Sequence, residues 1–306
     1  MIYYLAIDGG GTKTRVLCAD ENGEVVGEGL SGPTSLTVSN LGAASFALRE
    51  GIRQATQNLP PGFVIKKLVM GLAGIDTEVE KEKTQEAFKH VLSDFQIEEF
   101  MFMNDIYIAL RTASDSNDAL AIISGTGSNC FGLNSEGKTH KTGGLDYIIS
   151  DQGSGYAIGL GVLQMAAKSF DGRIATSKLE QKVNAYFQTA SIPDLKQSVY
   201  NPVLSKMQIA ALAKLAFEAM AEGDIAAKYI IDKAAEELFL MAKIVIERLG
   251  LNSKQAECVF AGKVLLNDYM KQYVSGKLSQ AFPSVKIVIP TQDPVHGALK
   301  IALQKQ

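Results

Sequence analysis

Two apolar runs in this chain end in the same kind of glycine turn, and that repetition narrows the folds open to it. Tyr3 to Ile7 leads into Asp8-Gly9-Gly10-Gly11-Thr12, and Ala119 to Ile123 leads into Ser124-Gly125-Thr126-Gly127-Ser128. A third run, Cys258 to Phe260, leads into Ala261-Gly262-Lys263. Laid over each other, Ile7–Arg15 and Ile123–Phe131 pair Asp8 with Ser124, Gly9 with Gly125, Gly11 with Gly127 and Thr12 with Ser128. Asn22-Gly23 and Glu136-Gly137 then supply the next tight turns. Glycine lets a backbone approach a ligand with no Cβ in the way. Successive N–H groups in such a turn form an anion-binding nest, to which a Thr or Ser hydroxyl adds a donor. Ordinary hairpins also favour glycine. Two turns in register, each behind a buried-strand pattern, instead predict a duplicated phosphate-gripping hairpin in two related domains.

The rest of the chain supports that duplication. Residues 2 to 31 predict three strands, Ile2–Ile7, Thr14–Ala19 and Val25–Leu30, separated by polar turns. Leu41 to Asn58 carries apolar residues at helical spacing and stops at Pro60-Pro61-Gly62. Strand Lys66–Leu72, helix Glu78–Leu92 and strand Glu98–Asn104 follow, and the last delivers Asp105 to a helix start. This is a βββαβαβα order, hence an α/β domain, and the polar stretch Asp115 to Asn117 suits its boundary. A second ββ unit opens at Ala119, followed by Gly143-Gly144 and the loop Ser150–Gly155, with a helix from Tyr156 to Ser169. Residues 172 to 250 read as mostly helical, and the stripe through Ala227, Ile230, Ile231, Ala234, Leu238, Met241 and Ile244 reads as core packing. Strands at Cys258–Ala261 and Val285–Ile289 and a helix at Pro294–Leu303 close the chain.

A length of 306 residues exceeds a single core, and 46% hydrophobic with 21% charged residues is a globular composition. A net charge of −3 without a Lys/Arg run leaves no footprint for nucleic acid. No apolar stretch reaches the roughly 18 residues that cross a membrane. Cys18, Cys130 and Cys258 are far apart and odd in number, which fits buried thiols in a reducing compartment. The amino terminus enters a strand without a basic or long apolar leader, so a cytoplasmic protein is expected. His90, His140 and His296 show no metal or relay spacing.

Three aspartates and one tempting motif carry the chemistry. Asp8 precedes the first glycine turn, where a carboxylate would repel phosphate unless a cation intervened. Its expected role is to hold Mg²⁺ through water, against capping of its own turn. Asp105 sits where an apolar strand ends and a helix begins, placed either to serve as a base toward a substrate hydroxyl or to cap that helix. Asp151 could accept hydrogen bonds from vicinal sugar hydroxyls, or cap the helix from Tyr156. Gly132–Thr139 satisfies G-x-x-x-x-G-K-T, but its glycines fall in a strand and a hairpin turn and no helix-forming run follows. A phosphate loop needs that helix, so the match is a coincidence.

Asp8–Thr14, Ile123–Cys130, the loop Ser150–Tyr156 and the terminal Asp293-Pro294-Val295-His296-Gly297-Ala298-Leu299 together resemble the N-acetylglucosamine kinase family. That family lies in the superfamily that also holds actin-like ATPases and heat-shock chaperones, and it is related to activator ATPases of acyl-CoA reductases and dehydratases. The resemblance spans nearly the whole chain. It implies two ribonuclease-H-like, actin-like ATPase domains with an interdomain cleft. These would be residues 1–117 and residues 118–293 with a helical insertion, and the final helix 294–306 would pack on the first. It implies ATP and Mg²⁺ as cofactors, with Gly9, Gly10, Gly11, Thr12 and Lys13 gripping phosphates opposite Gly125, Thr126, Gly127 and Ser128. Gly262 would contact the adenosine. Asp105 matches the catalytic base for the sugar 6-hydroxyl, and Ser35, Gly144 and Asp151 fall at sugar-side positions.

The chain departs from the family pattern on the acceptor side. Gly-Asp-Glu-Gly-Ser becomes Ser150-Asp151-Gln152-Gly153-Ser154, Gly-Gly-Trp-Gly becomes Gly143-Gly144-Leu145-Asp146, and an asparagine becomes Ser35. N-acetyl-D-glucosamine is the first expected acceptor, with glucosamine, N-acetylmuramic acid and glucose as alternatives. A non-catalytic sugar- and ATP-binding protein of the same fold also stays open, as does a homodimer. An iron–sulfur activator ATPase would need paired cysteines at a dimer interface, and the three cysteines lie instead in or beside predicted strands. A sugar-responsive repressor would need a DNA-binding domain ahead of the first strand.

Overall fold

The computed structural model describes residues 1–36, 39–75 and 77–304. Residues 305 and 306, included in the expected closing helix, lie outside the described residues. The chain divides into two compact units, Met1–Ser116 with Val288–Gln306, and Asn117–Ile287.

The first unit runs β1 (Ile2–Gly9), β2 (Thr14–Asp20), β3 (Val25–Ser31), α1 (Leu41–Thr56), β4 (Val64–Leu72), α2 (Glu78–Leu92), β5 (Ile97–Asn104) and α3 (Asp105–Ala113). Its sheet has the order β3-β2-β1-β4-β5. β1 lies antiparallel to β2 and parallel to β4, with Asp8 opposite Arg15 on one side and Gly71 on the other. Alternation along β1 sorts its side chains onto two faces. Tyr3, Leu5 and Ile7 join α1 and α2 through Leu48, Ile52, Phe88 and Val91. Tyr4 and Ala6 face the other layer, where Ile108 of α3 meets Val295, Ala298 and Ala302 of the final helix α12 (Val295–Leu303). Each large apolar side chain sealed this way contributes about 1.5–3 kcal/mol. Asp8 continues the even-numbered set, which places it on the α3/α12 face at the C-terminal end of its strand.

The second unit repeats the plan: β6 (Ala119–Ser124), β7 (Ser128–Leu133), β8 (Thr139–Gly143), a helical crossover, β9 (Glu257–Ala261), α11 (Asp268–Ala281) and β10 (Lys286–Val288). The sheet order β8-β7-β6-β9-β10 is that of the first, strand for strand. β6 is antiparallel to β7 and parallel to β9. Where α1 alone spans the first crossover, the second holds α4 (Asp146–Ile149), α5 (Gly155–Phe170), α6 (Lys178–Phe187), α7 (Leu195–Tyr200), α8 (Lys206–Ala211), α9 (Ala213–Ala221) and α10 (Ile225–Arg248). α10 packs its apolar stripe onto Leu120, Ile122 and Cys130. The short helix α4 starts at Asp146 in a left-handed conformation, φ 68°, and has no counterpart in the helical spacing of the sequence.

The phosphate-loop match is a hairpin. Gly132 lies in β7, Gly137 is in the turn, and Thr139 opens β8. No described helix is long and apolar enough to cross a membrane.

Candidate active site

In the first unit, three parallel strand ends converge on one edge: Asp8-Gly9 of β1, Leu72 of β4 and Asn104 of β5. The turn after β1 is tied down by its carbonyls. The Gly9 oxygen accepts from Ala73 N at 3.0 Å and the Gly10 oxygen from Ser35 N at 3.3 Å. Gly10 N closes the turn on Lys13 O at 3.0 Å. Among the described residues, the N–H groups of Gly11, Thr12 and Lys13 donate to no backbone carbonyl. The turn therefore commits the Gly9 and Gly10 carbonyls and leaves three successive N–H groups without a backbone carbonyl, a pattern that suits an anion nest. Gly9 must lack a side chain, because a Cβ there would lie 2.3 Å from both Leu72 Cδ2 and Thr34 Oγ1.

Asp105 opens α3 one residue inside the cap. Asn104 is the N-cap: its Oδ1 accepts from Ile106 N at 3.0 Å and its Nδ2 donates to Ile75 O at 2.7 Å. Asp105 is thereby relieved of capping and sits in the first turn, half-buried, at the positive end of the helix dipole. Asp293 lies just before α12, ion-paired with Arg15, which also reaches Glu28 at 3.3 Å. Asp8 feels the sum. Burial, then the Asp105 and Asp293 carboxylates, push its pKa from 3.8 to about 7, against the lowering pull of Lys13 and Arg15.

In the second unit the turn after β6 is held the same way. Gly155 N and Tyr156 N, the first donors of α5, bond the carbonyls of Gly125 at 2.7 Å and Thr126 at 3.2 Å. Gly125 N closes on Gly127 O at 3.0 Å, leaving Thr126 N and Gly127 N without a backbone carbonyl among the described residues. Beside it stands the third glycine turn. Gly262 has φ 88°, and a Cβ there would meet the Ser124 carbonyl oxygen at 2.2 Å. That same oxygen accepts from Val264 N at 3.0 Å and Leu265 N at 3.2 Å. Asp151, buried and left-handed at φ 71°, accepts from Ser128 N at 3.1 Å and pairs with Lys206 Nζ at 2.7 Å. Lys206 also reaches Asp146 at 2.6 Å. Burial works against its ammonium, but these two carboxylates outweigh it and hold its pKa above the ordinary lysine value.

A family model, the BadF/BadG/BcrA/BcrD ATPase family, matches residues 5–302. The chain belongs to the BadF/BadG/BcrA/BcrD ATPase family. It is 32% identical to the N-acetylmuramic acid/N-acetylglucosamine kinase of Clostridium acetobutylicum over 99% of this chain and 98% of that one. It is 27% identical to the N-acetyl-D-glucosamine kinase of Dictyostelium discoideum, again over 99% and 98% of the two chains. A crystal structure of a ROK family glucokinase from Streptomyces griseus, in complex with glucose and AMPPNP, shares the fold with TM-score 0.56 at 14% identity over 99% and 100% of the chains. The fold is thus that of the ROK sugar kinases and actin-like ATPases, and membership of an ATPase family implies ATP use.

Set against this family fold, the sequence-derived residues sort unevenly. Asp8, Gly9–Lys13 and Asp105 share one strand-end edge of the first unit, whereas Gly125–Gly127 and Gly262 share the matching edge of the second. The two turns differ by one residue, 10–13 against 125–127. Gly10, not Gly9, therefore plays the part of Gly125. Ser128 corresponds to Thr14, not to the exposed Thr12, because both open the returning strand with buried hydroxyls. Ser128 Oγ donates to Gln152 O at 2.7 Å, and Thr14 Oγ1 to Thr34 Oγ1 at 2.9 Å. Ser35 is buried too, donating to Ala73 O at 2.9 Å. Gly144 follows β8 at φ 73°, with Asn129 and Lys141 beside it. Asp151 Oδ1 accepts from Ser128 N and Oδ2 is ion-paired with Lys206, both within the second unit.

Asn104, Asp293 and Lys206 are the participants that sequence reasoning left without a role. Asp293-Pro294 before an apolar helix is a readable signal, as is Asn104 beside Asp105 at a strand end; nothing local marks Lys206. The acidic cluster around Asp8 also tests the fit of Mg²⁺. The Asp105 and Asp293 carboxylates both act on Asp8, a repulsion that a cation would relieve. No described group of three acidic, His or Cys side chains closes to direct metal-ligating geometry. That combination suits an ion held largely through water and ligand phosphates, as Mg²⁺ prefers.

Proposed function

We propose that the protein is an ATP-dependent kinase that phosphorylates the 6-hydroxyl of an amino sugar, with N-acetyl-D-glucosamine as first acceptor. One observation carries the reading: Asp105, in the first turn of α3 beside the Asn104 cap, stands on the same strand-end edge as Asp8 and a glycine turn whose Gly11, Thr12 and Lys13 N–H groups meet no backbone carbonyl among the described residues. Phosphoryl transfer needs little beyond these elements, namely positioned phosphates, charge relief and a base for the acceptor. Asp105 takes the proton from the sugar hydroxyl as its oxygen bonds to the γ-phosphorus and the bond to the ADP oxygen breaks. The N–H groups of Gly11, Thr12 and Lys13 are the donors that the first unit offers to phosphate oxygens, and those of Thr126 and Gly127 are the donors of the second. The Gly262 turn borders the nucleoside part, and the Ser35 and Gly144 loops border the sugar. Mg²⁺ at Asp8 supplies charge neutralisation.

The names of the full-length relatives support the acceptor class: one joins N-acetylmuramic acid with N-acetylglucosamine, and the other carries N-acetyl-D-glucosamine. A further relative, 33% identical over 56% of this chain, is a glucosamine kinase of Vibrio cholerae. ADP release with Mg·ATP over N-acetylglucosamine, glucosamine, glucose, N-acetylmuramic acid and N-acetylmannosamine tests the proposal. Sugar-dependent release is expected, falling by several orders of magnitude in Asp105→Ala while ATP binding persists. Comparable turnover in Asp105→Ala removes it as the base, and ATP binding without release on any sugar points to a non-catalytic sensor.

A further inference from the structure

We propose that Lys206 is a positioning residue for nucleotide phosphate, acting by neutralising the Asp151 carboxylate buried behind the second glycine turn. The inference rests on the reading that this turn takes phosphate. Asp151 is 3% exposed. Its Oδ1 fixes the turn by accepting from Ser128 N at 3.1 Å. Its Oδ2 lies 2.9 Å from where a Gly127 Cβ would stand, so the negative charge sits directly against the turn. A bare carboxylate there would oppose any phosphate the turn received, since a buried charge is poorly screened. Lys206 Nζ, 2.7 Å from Oδ2, supplies the counter-charge.

Its position is built rather than incidental. Lys206 is the first residue of α8, whose Ser205–Gln208 capping box fixes the helix start. α8 crosses α5 closely enough that a Cβ on Gly159 would meet the Ile209 carbonyl oxygen at 1.9 Å. The ammonium also contacts Asp146 at 2.6 Å and lies over the Tyr147 ring at 5.6 Å. Tyr147 packs on Tyr156 with ring centroids 4.8 Å apart, and Tyr156 N bonds the Thr126 carbonyl at 3.2 Å. Turn, Asp151, Lys206, α4 and the start of α5 thus form one closed circuit within the second unit. The arrangement lets Asp151 shape the turn without its charge being felt by the ligand.

The test compares the full chain with Lys206→Met, Lys206→Arg and the double variant Lys206→Met/Asp151→Asn. Binding of ATP and adenosine is measured by calorimetry, the KM for ATP and sugar by ADP release, and folding by thermal unfolding. Lys206→Met should weaken ATP binding roughly 10- to 100-fold, because it leaves an unpaired buried charge. Adenosine affinity should stay within about twofold, because it carries no phosphate. Lys206→Arg should keep most of the affinity, and the double variant should recover it by removing the orphaned charge. If Lys206→Met does not fold, recovery in the double variant carries the same meaning. Unchanged ATP affinity in a folded Lys206→Met overturns the proposal, as does a double variant that folds yet still binds ATP weakly. A rise in sugar KM with ATP KM unchanged also overturns it, assigning Asp151 to the sugar side. Wild-type protein that binds no adenine nucleotide refutes the phosphate reading of the turn itself.

Discussion

Replacing Asp8 by asparagine should make the ligand-free protein more stable at alkaline pH while abolishing its activity. The folded-state pKa of Asp8 is pushed from 3.8 to about 7, chiefly by burial and then by Asp105 and Asp293. A carboxyl with a raised pKa holds its proton more tightly in the folded state, so its favourable contribution is complete below the unfolded value. That contribution is lost as pH rises from about 4 through 7. Three pKa units correspond to an upper limit of about 4 kcal/mol over the whole window. Between pH 5.5 and 8 roughly half of that lies within reach, and relaxation around the charged form lowers it to about 1–2 kcal/mol. Urea unfolding of wild type and Asp8→Asn at the two pH values measures it. The stability gap in favour of Asp8→Asn should widen by that amount at pH 8. Millimolar Mg²⁺ together with ADP should narrow the gap by stabilising wild type more than Asp8→Asn, a readout that needs no turnover. Equal pH slopes for the two proteins would refute the buried acidic cluster.

Three further substitutions probe the supports of the site. Gly9→Ala places a methyl 2.3 Å from Leu72 Cδ2 and Thr34 Oγ1; a loss of about 1–3 kcal/mol in urea unfolding and weaker ATP binding are expected. Asn104→Ala removes the α3 cap and the bond to Ile75 O. It should cost about 1 kcal/mol in stability but lower kcat far more than ATP affinity, as comparison of kcat with calorimetric Kd will show. Gly297→Ala drives a Cβ to 1.9 Å from Ile108 O where α12 lies on α3. Unfolding measurements should show a loss of about 1–3 kcal/mol or more, with intact stability contradicting that packing.

The repeated order of elements was legible because it depends on local signals: alternating apolar residues, helical stripes and turns punctuated by glycine. What stayed hidden depends on backbone geometry or on distant pairing. Asn104 and Asp105 are both capping residue types, and only the extended backbone of Asn104, φ −65° and ψ 145°, decides which one caps. That choice sets Asp105 one residue inside the helix rather than at its cap. Residue identity pairs Ser128 with Thr12, yet the second turn is a residue shorter, so Ser128 aligns with Thr14 instead. The Asp151–Lys206 pair joins a loop before α5 to the start of α8, and no periodicity links them. Helix α4 is too short for a pattern, and Leu145, Ile148 and Ile149 remain exposed on it at 55%, 83% and 72%.

The duplicated plan explains why the two turns became chemically unlike. Both have their carbonyls taken by N–H donors and keep N–H groups that meet no backbone carbonyl among the described residues, so both suit anions. In the first unit those bonds come from Ala73 and Ser35, loop residues that leave the α3 and α12 starts to bring acidic groups to the edge. Those carboxylates are only partly offset, which favours a cation and a proton acceptor. In the second unit the bonds to the turn carbonyls come from the start of α5 itself, and the Asp151 carboxylate at the turn is buried and matched by Lys206. A helical crossover long enough to carry α8 back over α5 is what makes that match available. The insertion therefore does more than enlarge the second unit: it brings the lysine that lets a turn with an acid behind it still receive phosphate.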